Sequence, residues 1–458
     1  MKFIKVKLKD LCTPKQWKNL PIAALHENGK YKVYGANGVI GYYNEYNHEF
    51  PTLAITCRGA TCGNVHITEP KSYITSNAMA LDSLDVSKVD LKFLKYVLLK
   101  RGFYDVITGS AQPQITATNL NKIDLLIPEK LDDQQKIAQL LTQIEELINK
   151  REESINLLDE LIKSTFLDMF GDPFNNKYSF DKCTIRDLVN EVKYGTSSPA
   201  VEGGKYPYLR MNNIDYNGYW DFNDIKFIDI NDADKEKYSL KKGDLVFNRT
   251  NSKELVGKTA VYNLDKEVVI AGYLIRIRVN QDNNPWFVWG YLNSIIGKKV
   301  LFSLCRNIVG MANINAQELQ NIDILKPPKP LQDKFAEVVT QVEQIKTFYQ
   351  DSLNELNNLF GSIAQKAFKG ELDVSKIELI QKEQEEITMA IKLDEKKLLE
   401  EIKKGDFEAS KYVNEHQNYD AIKDMIFKLI EDGKISQELV EFRTDDEKIS
   451  SKIELRAN

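Results

Sequence analysis

Histidine is scarce in this chain: four in 458 residues, at His26, His48, His66 and His416. With so few, no Ser/His/Asp or Cys/His constellation can be argued with specificity, and no pair of carboxylates stands out for general acid–base work. Cysteine is thin as well. Cys12, Cys57, Cys62, Cys183 and Cys305 are an odd number spread over a long chain, which speaks against a disulfide framework and for reduced thiols. No stretch approaches the roughly 18 uninterrupted apolar residues of a membrane-spanning helix. The opening MKFIKVKLKDL alternates apolar and basic residues and has no signal-peptide core. A soluble, cytoplasmic protein is the expectation. A G-x-G-x-x-G dinucleotide fingerprint is also missing.

Three near-motifs fall short of chemistry. Ser252-Lys-Glu-Leu-Val-Gly257-Lys258-Thr259 resembles a phosphate-binding loop, but serine replaces its first glycine and the following Thr-Ala-Val-Tyr reads as strand, not helix. Cys57, Cys62 and His66 offer three zinc donors without a common structural spacing or a fourth ligand. Asn284-Pro285-Trp286 lacks the second proline of the Asn-Pro-Pro-aromatic motif of amino methyltransferases. No catalytic, cofactor-binding or metal-binding residue is therefore assigned.

What is present is ordinary globular composition, 42% hydrophobic and 28% charged, on a chain long enough for two or three domains. The net charge of −5 is unevenly spread. Residues 371–458 carry 15 basic against 23 acidic side chains, leaving 47 against 44 in residues 1–370. The body is mildly basic and the tail acidic, which permits nucleic-acid binding by the body without demonstrating it.

An internal repeat organises the rest. Ile115-Thr-Ala-Thr-Asn-Leu120-Asn-Lys-Ile123-Asp124-Leu-Leu126-Ile-Pro128 returns 199 residues later as Ile314-Asn-Ala-Gln-Glu-Leu319-Gln-Asn-Ile322-Asp323-Ile-Leu325-Lys-Pro327. Gln134-Gln-Lys-Ile137-Ala138 is answered by Gln332-Asp-Lys-Phe335-Ala336. A long amphipathic segment follows each copy. Ile137, Leu141, Ile144, Ile148, Ile155, Leu158 and Ile162, with Arg151 in the gap, keep a 4-3 spacing. Phe335, Val339, Val342, Tyr349, Leu353, Leu356 and Phe360, with Lys346 in the gap, keep the same. A period of 3.5 residues is that of a coiled-coil seam, whereas a helix lying on its own globular domain favours a wider stripe of period 3.6. Chain connectivity then makes the pair antiparallel, each helix about 33 residues and roughly 50 Å long. Gly171-Asp-Pro173 and Gly370 sit where the two helices should stop.

The expected architecture is α+β: two mixed α/β heads separated by two long antiparallel coiled-coil helices, plus a helical extension. The divisions are 1–130 for the first head, 131–172 for the first helix, 173–330 for the second head, 331–372 for the second helix and 373–458 for the acidic extension, with an amphipathic stretch at 419–430. Both heads read as short strands divided by Gly, Asn and Asp turns. Polar and basic residues lie at loop-like positions in each. Those of the first head are Arg58, Thr61, Arg101, Gln112 and Gln114; those of the second are Arg210, Asn212, Asn213, Arg249, Asn251, Lys253 and Lys258. Arg pairs bidentately with guanine and Asn or Gln with adenine in the major groove, while Lys holds phosphates. Any one of them could equally be an ordinary surface group.

The repeated motifs, the Gln134 and Gln332 helix starts and the close Ser362-Ile-Ala-Gln-Lys-Ala-Phe-Lys-Gly370-Glu-Leu372 resemble the specificity subunits of type I restriction–modification systems, over residues 1 to about 370. The resemblance implies two target recognition domains reading a split site in double-stranded DNA. It further implies two adenine methyltransferase subunits docked on the helices, with restriction/translocase subunits joining them. S-adenosylmethionine, ATP and magnesium would then belong to those partners and not to this chain. A non-catalytic adaptor whose heads bind proteins is the alternative, and the salt dependence of DNA binding separates the two.

Overall fold

The computed structural model describes residues 1–109, 112–308, 310–379, 395–404, 426, 429–430, 432–443 and 449–457. The chain divides into two compact units, one of residues 1–129 and 137–372 and one of residues 130–136 and 373–458. The first unit holds both heads and nearly all of both long helices.

Each head begins and ends in one two-stranded ladder. Phe3–Lys7 runs antiparallel to Asp124–Pro128, and Asp181–Thr184 to Asp323–Lys326. The closing strand of each is thus the repeated motif itself, with Leu125 and Ile127 of one and Ile324 and Leu325 of the other buried. Between the ladder strands the first head has a four-stranded sheet in the order Thr13–Gln16, Ala78–Asp82, Leu53–Thr56, Val65–Ile67. Its three-stranded sheet runs Gly38–Tyr43, Tyr31–Gly35, Tyr73–Ile74. The second head repeats the plan with Val189–Tyr194, Leu274–Val279, Leu245–Asn248, Thr259–Val261, and with Lys226–Ile228, Tyr206–Leu209, Val269–Ile270.

Matching backbone bonds align the heads residue by residue. The amide of Ile115 donates to the Cys57 carbonyl as that of Ile314 does to Arg249, and Thr75 donates to Tyr34 as Ala271 does to Leu209. Cys57 therefore corresponds to Arg249, and Tyr34 to Leu209. The near-motifs find structural uses in this frame. Thr259 opens a strand, and Asn284 is the N-cap of helix Pro285–Asn293, its side chain accepting from the Trp286 amide.

The two long helices are Leu131–Phe170 and Lys329–Lys369, 40 and 41 residues, so each is about 60 Å long and extends beyond the roughly 33-residue seam read from the spacing. Asp132 and Asp133 in the first turn of one and Pro330 near the start of the other suit helix N-termini. Gly370 ends the second with φ at +76°, a left-handed cap that a side chain would strain. The helices pair antiparallel: Phe166 packs on Phe335, Asp159 meets Lys346, and Arg151 lies 4.1 Å over the Tyr349 ring. Numbers fall along one helix as they rise along the other. All fourteen apolar seam positions named above are buried or half-buried, and none is exposed.

The second head's core runs into the helix pair. Phe166, Phe170, Phe287 and Phe335 form one aromatic cluster, with centroids 4.8–5.8 Å apart. The first head meets the other end of the pair, through Phe93 on Phe368, Tyr96 on Phe360 and the Tyr96 hydroxyl on Thr142 and Glu145.

In the second unit, Glu395–Lys404 is helical as expected of the extension. Ile435–Arg443 and Ile449–Ala457, however, form an antiparallel ladder, Ile435 opposite Ala457, which the helical expectation missed. Most of the 419–430 stretch lies outside the described residues.

Candidate nucleic-acid interface

In the second head, the loop after strand Tyr206–Leu209 and the end of strand Leu245–Asn248 converge on an open cleft of about 540 Å³. Arg210, Asn212 and Arg249 line it, with Tyr208, Tyr273, Ser197 and Ser198. Residues from two separate stretches of sequence, Arg210 with Asn212 on one and Arg249 on the other, are thus brought to one place. Arg210 holds Asp224 at 2.8 Å, and Arg249 lies 4.8 Å over the Tyr194 ring. The Nε atoms of both arginines are buried without a hydrogen-bond partner among the described residues. Asn212 is exposed, with its amide free to face the same space. Asn251 and Lys253 sit outside the cleft. The Asn251 side chain accepts from the Ser252 amide, and Lys253 stands 4.1 Å over Phe302.

Two expected contact residues are corrected. Asn213, 2% exposed, accepts from the Arg210 amide and donates to the Asp221 carbonyl, so it builds the loop that presents Asn212. Lys258, 7% exposed, gives its ammonium to the carbonyls of Met211 and Ile214. Burial holds its pKa below the usual lysine value. Both residue types fit base or phosphate contact, but their polar atoms are already spent inside the head.

In the first head, Arg58 and Gln114 come side by side in a short bridge, reinforced by the Gly59 amide donating to the Pro113 carbonyl at 3.2 Å. Arg58 and Gln112 are exposed and Gln114 half-buried. The Thr61 hydroxyl donates to the Ala36 carbonyl at 3.2 Å, the role that Lys258 plays for Met211. Arg101 stands apart, clamped by both nitrogens to Asp105 at 2.9 and 2.6 Å. The alignment of Tyr34 with Leu209 supplies a residue the sequence reading passed over as a turn: exposed Asn37 occupies the place of Asn212. Its signal was an asparagine three residues after the matched strand positions Tyr34 and Leu209.

The two heads share a backbone frame but carry the expected contact residues at different places on it: Arg58 and Gln114 align with Thr250 and Asn313, a ladder pair of the second head, and not with the cleft residues Arg210, Asn212 and Arg249. The family model described as "Type I restriction modification DNA specificity domain" matches residues 2–157 and again 180–358. The chain belongs to that family. Among curated relatives of this specificity family, the EcoKI specificity subunit of Escherichia coli K12 is 25% identical over 337 residues, 69% of this chain and 68% of that one. The MjaIX specificity subunit of Methanocaldococcus jannaschii is 21% identical over 355 residues, 71% and 78% of the two chains. The crystal structure of a type I system S subunit from M. genitalium shares the fold, with a TM-score of 0.56 over 80% of this chain and 96% of that one at 17% identity. No helix among the described residues is long and apolar enough to cross a membrane.

Proposed function

We propose that this chain is the DNA sequence-specificity subunit of a type I restriction–modification complex, directing partner enzymes and performing no chemistry itself. The observation that carries the reading is one head built twice, with matched backbones and unmatched loop side chains, on the two ends of an antiparallel helix pair. Such a chain reads two unlike half-sites at a set separation. In the second head Arg210, Arg249 and Asn212 suit guanine and adenine edges; in the first, Arg58, Gln112, Gln114 and Asn37 do so. Lys253 and Asn251, outside the cleft, would contact the DNA backbone.

The outer faces of the helices support the docking of partner subunits. Leu147, Leu157 and Leu161 on one, and Ile345, Phe348 and Leu359 on the other, are large, apolar and exposed. Two adenine methyltransferase subunits docking there would cover them and bring S-adenosylmethionine. Restriction/translocase subunits would bring ATP and magnesium.

The test is single-molecule mapping of adenine methylation in cells carrying the chain with its methyltransferase subunit, against cells lacking only this chain. A split motif of two defined blocks around a fixed run of unspecified bases is expected only in the first. Identical maps, with both proteins soluble, would favour a protein-binding adaptor.

A further inference from the structure

Both heads are gripped by the same position of the long helix that follows them. Glu145 on the first helix and Glu343 on the second lie 198 residues apart, the offset that relates Ile137 to Phe335. Glu145 accepts from the Tyr96 hydroxyl at 2.8 Å and pairs with Lys95 at 2.7 Å, at a partly exposed surface. Glu343 likewise lies against a tyrosine of its own head, Tyr219, but this site is closed and more heavily charged.

The Tyr219 side chain lies against the carboxyl groups of both Glu343 and Asp159, and one oxygen of Glu343 is buried with no hydrogen-bond partner among the described residues. Asp159, on the first helix and 7% exposed, accepts from Lys346 of the second helix at 2.6 Å and from the Asn217 amide of the head at 3.0 Å. Lys346 also stands 3.6 Å over the Tyr219 ring. Burial pushes the Glu343 carboxyl and the Tyr219 phenol above their usual ranges. Three elements, two helices and one head loop, thus meet in a buried polar site within a seam whose other polar interruption is Arg151, set over the Tyr349 ring.

A purely apolar seam tolerates sliding, because one apolar residue replaces another. A buried charged group does not, since a slip leaves it unpaired away from water. The step matters here: one helical turn is about 5.4 Å, against about 3.4 Å per base pair. We propose that Asp159, Glu343, Lys346 and Tyr219 are positioning residues that lock the register of the helix pair and the seat of the second head, and so set the number of unspecified base pairs between the half-sites.

This rests on the specificity-subunit reading. The experiment is methylation, by the full chain with its methyltransferase subunit, of split targets whose spacers are one base pair shorter than, equal to and one longer than the preferred one. Asp159→Leu/Asn217→Ala/Glu343→Leu/Lys346→Met replaces the network by apolar groups. Its preference for the native spacer over the neighbours should fall by about tenfold with both half-site sequences unchanged. Tyr219→Phe keeps the ring and should lower the preference by about threefold, which carries the test should the fourfold variant not fold. An unchanged preference in folded Tyr219→Phe or in the folded fourfold variant overturns the lock. A wild type indifferent to spacer length removes the specificity-subunit reading itself, and the lock with it.

Discussion

Arg249 and Lys258 stand nine positions apart, and the two cations do opposite work. Lys258 donates inward to two carbonyls of the 211–214 loop, whereas Arg249 lines the open cleft with its Nε unpartnered among the described residues. Lys258→Met should therefore cost about 1–3 kcal/mol of stability by leaving buried acceptors unpaired. Arg249→Ala should leave the unfolding midpoint within error yet weaken discrimination at one base of one half-site by about 1–3 kcal/mol. Thermal unfolding and half-site methylation, measured on both variants, check this; a specificity loss confined to Lys258→Met would reverse the assignment. Residue type was legible in the sequence here and burial was not. Arg, Asn and Lys in Gly-rich loops look alike until the fold shows which ones the loop itself consumes, as Asn213 and Lys258 are. Asn37 was missed for the complementary reason: its equivalence to Asn212 exists only once the strands are paired.

At the scale of elements, the long helices were the most legible part, because a 3.5-residue period declares a partner helix without any knowledge of tertiary structure. Even the two polar interruptions were informative. Arg151 and Lys346 occupy seam positions and find their partners, Tyr349 and Asp159, across the seam. Short strands carry far less signal. The repeated motif could be seen to recur, but nothing in it announced that it closes each head by pairing with the head's first strand. The ladder of Ile435–Arg443 with Ile449–Ala457 was hidden behind the acidic composition of the extension. The seam makes a sharp prediction. Leu353 is buried where the helices pair and Leu356 is half-buried beside it. Leu353→Asp/Leu356→Asp should cost at least about 3 kcal/mol by burying unpaired carboxylates. Loss of split-site methylation and faster proteolysis between the heads are the expected results; a normal methylation pattern would show that the helices are not paired in the working protein.

On the scale of the whole molecule, the design separates what is shared from what varies. Backbone pairing, the closing ladders and the tyrosine–glutamate grips recur in both heads, while the cleft side chains do not. Heads should therefore be exchangeable, on conditions the packing sets. Residues 173–330 join the helix pair through Phe287, stacked among Phe166, Phe170 and Phe335, and through Gly290, where a Cβ would come within 2.5 Å of the Phe166 ring. An incoming head with an aromatic and a glycine at those two places should seat; one with a larger side chain at the second should not, because an interior packed this closely cannot yield the missing ångström without displacing the aromatic cluster. A seated exchange should replace one block of the methylated motif, and keep the other block and the spacer. Methylation mapping of the chimaera reads all three at once. Simultaneous change in both blocks would mean that the heads do not read independently, and a changed spacer with one block replaced would place the separation in the head and not in the helix pair.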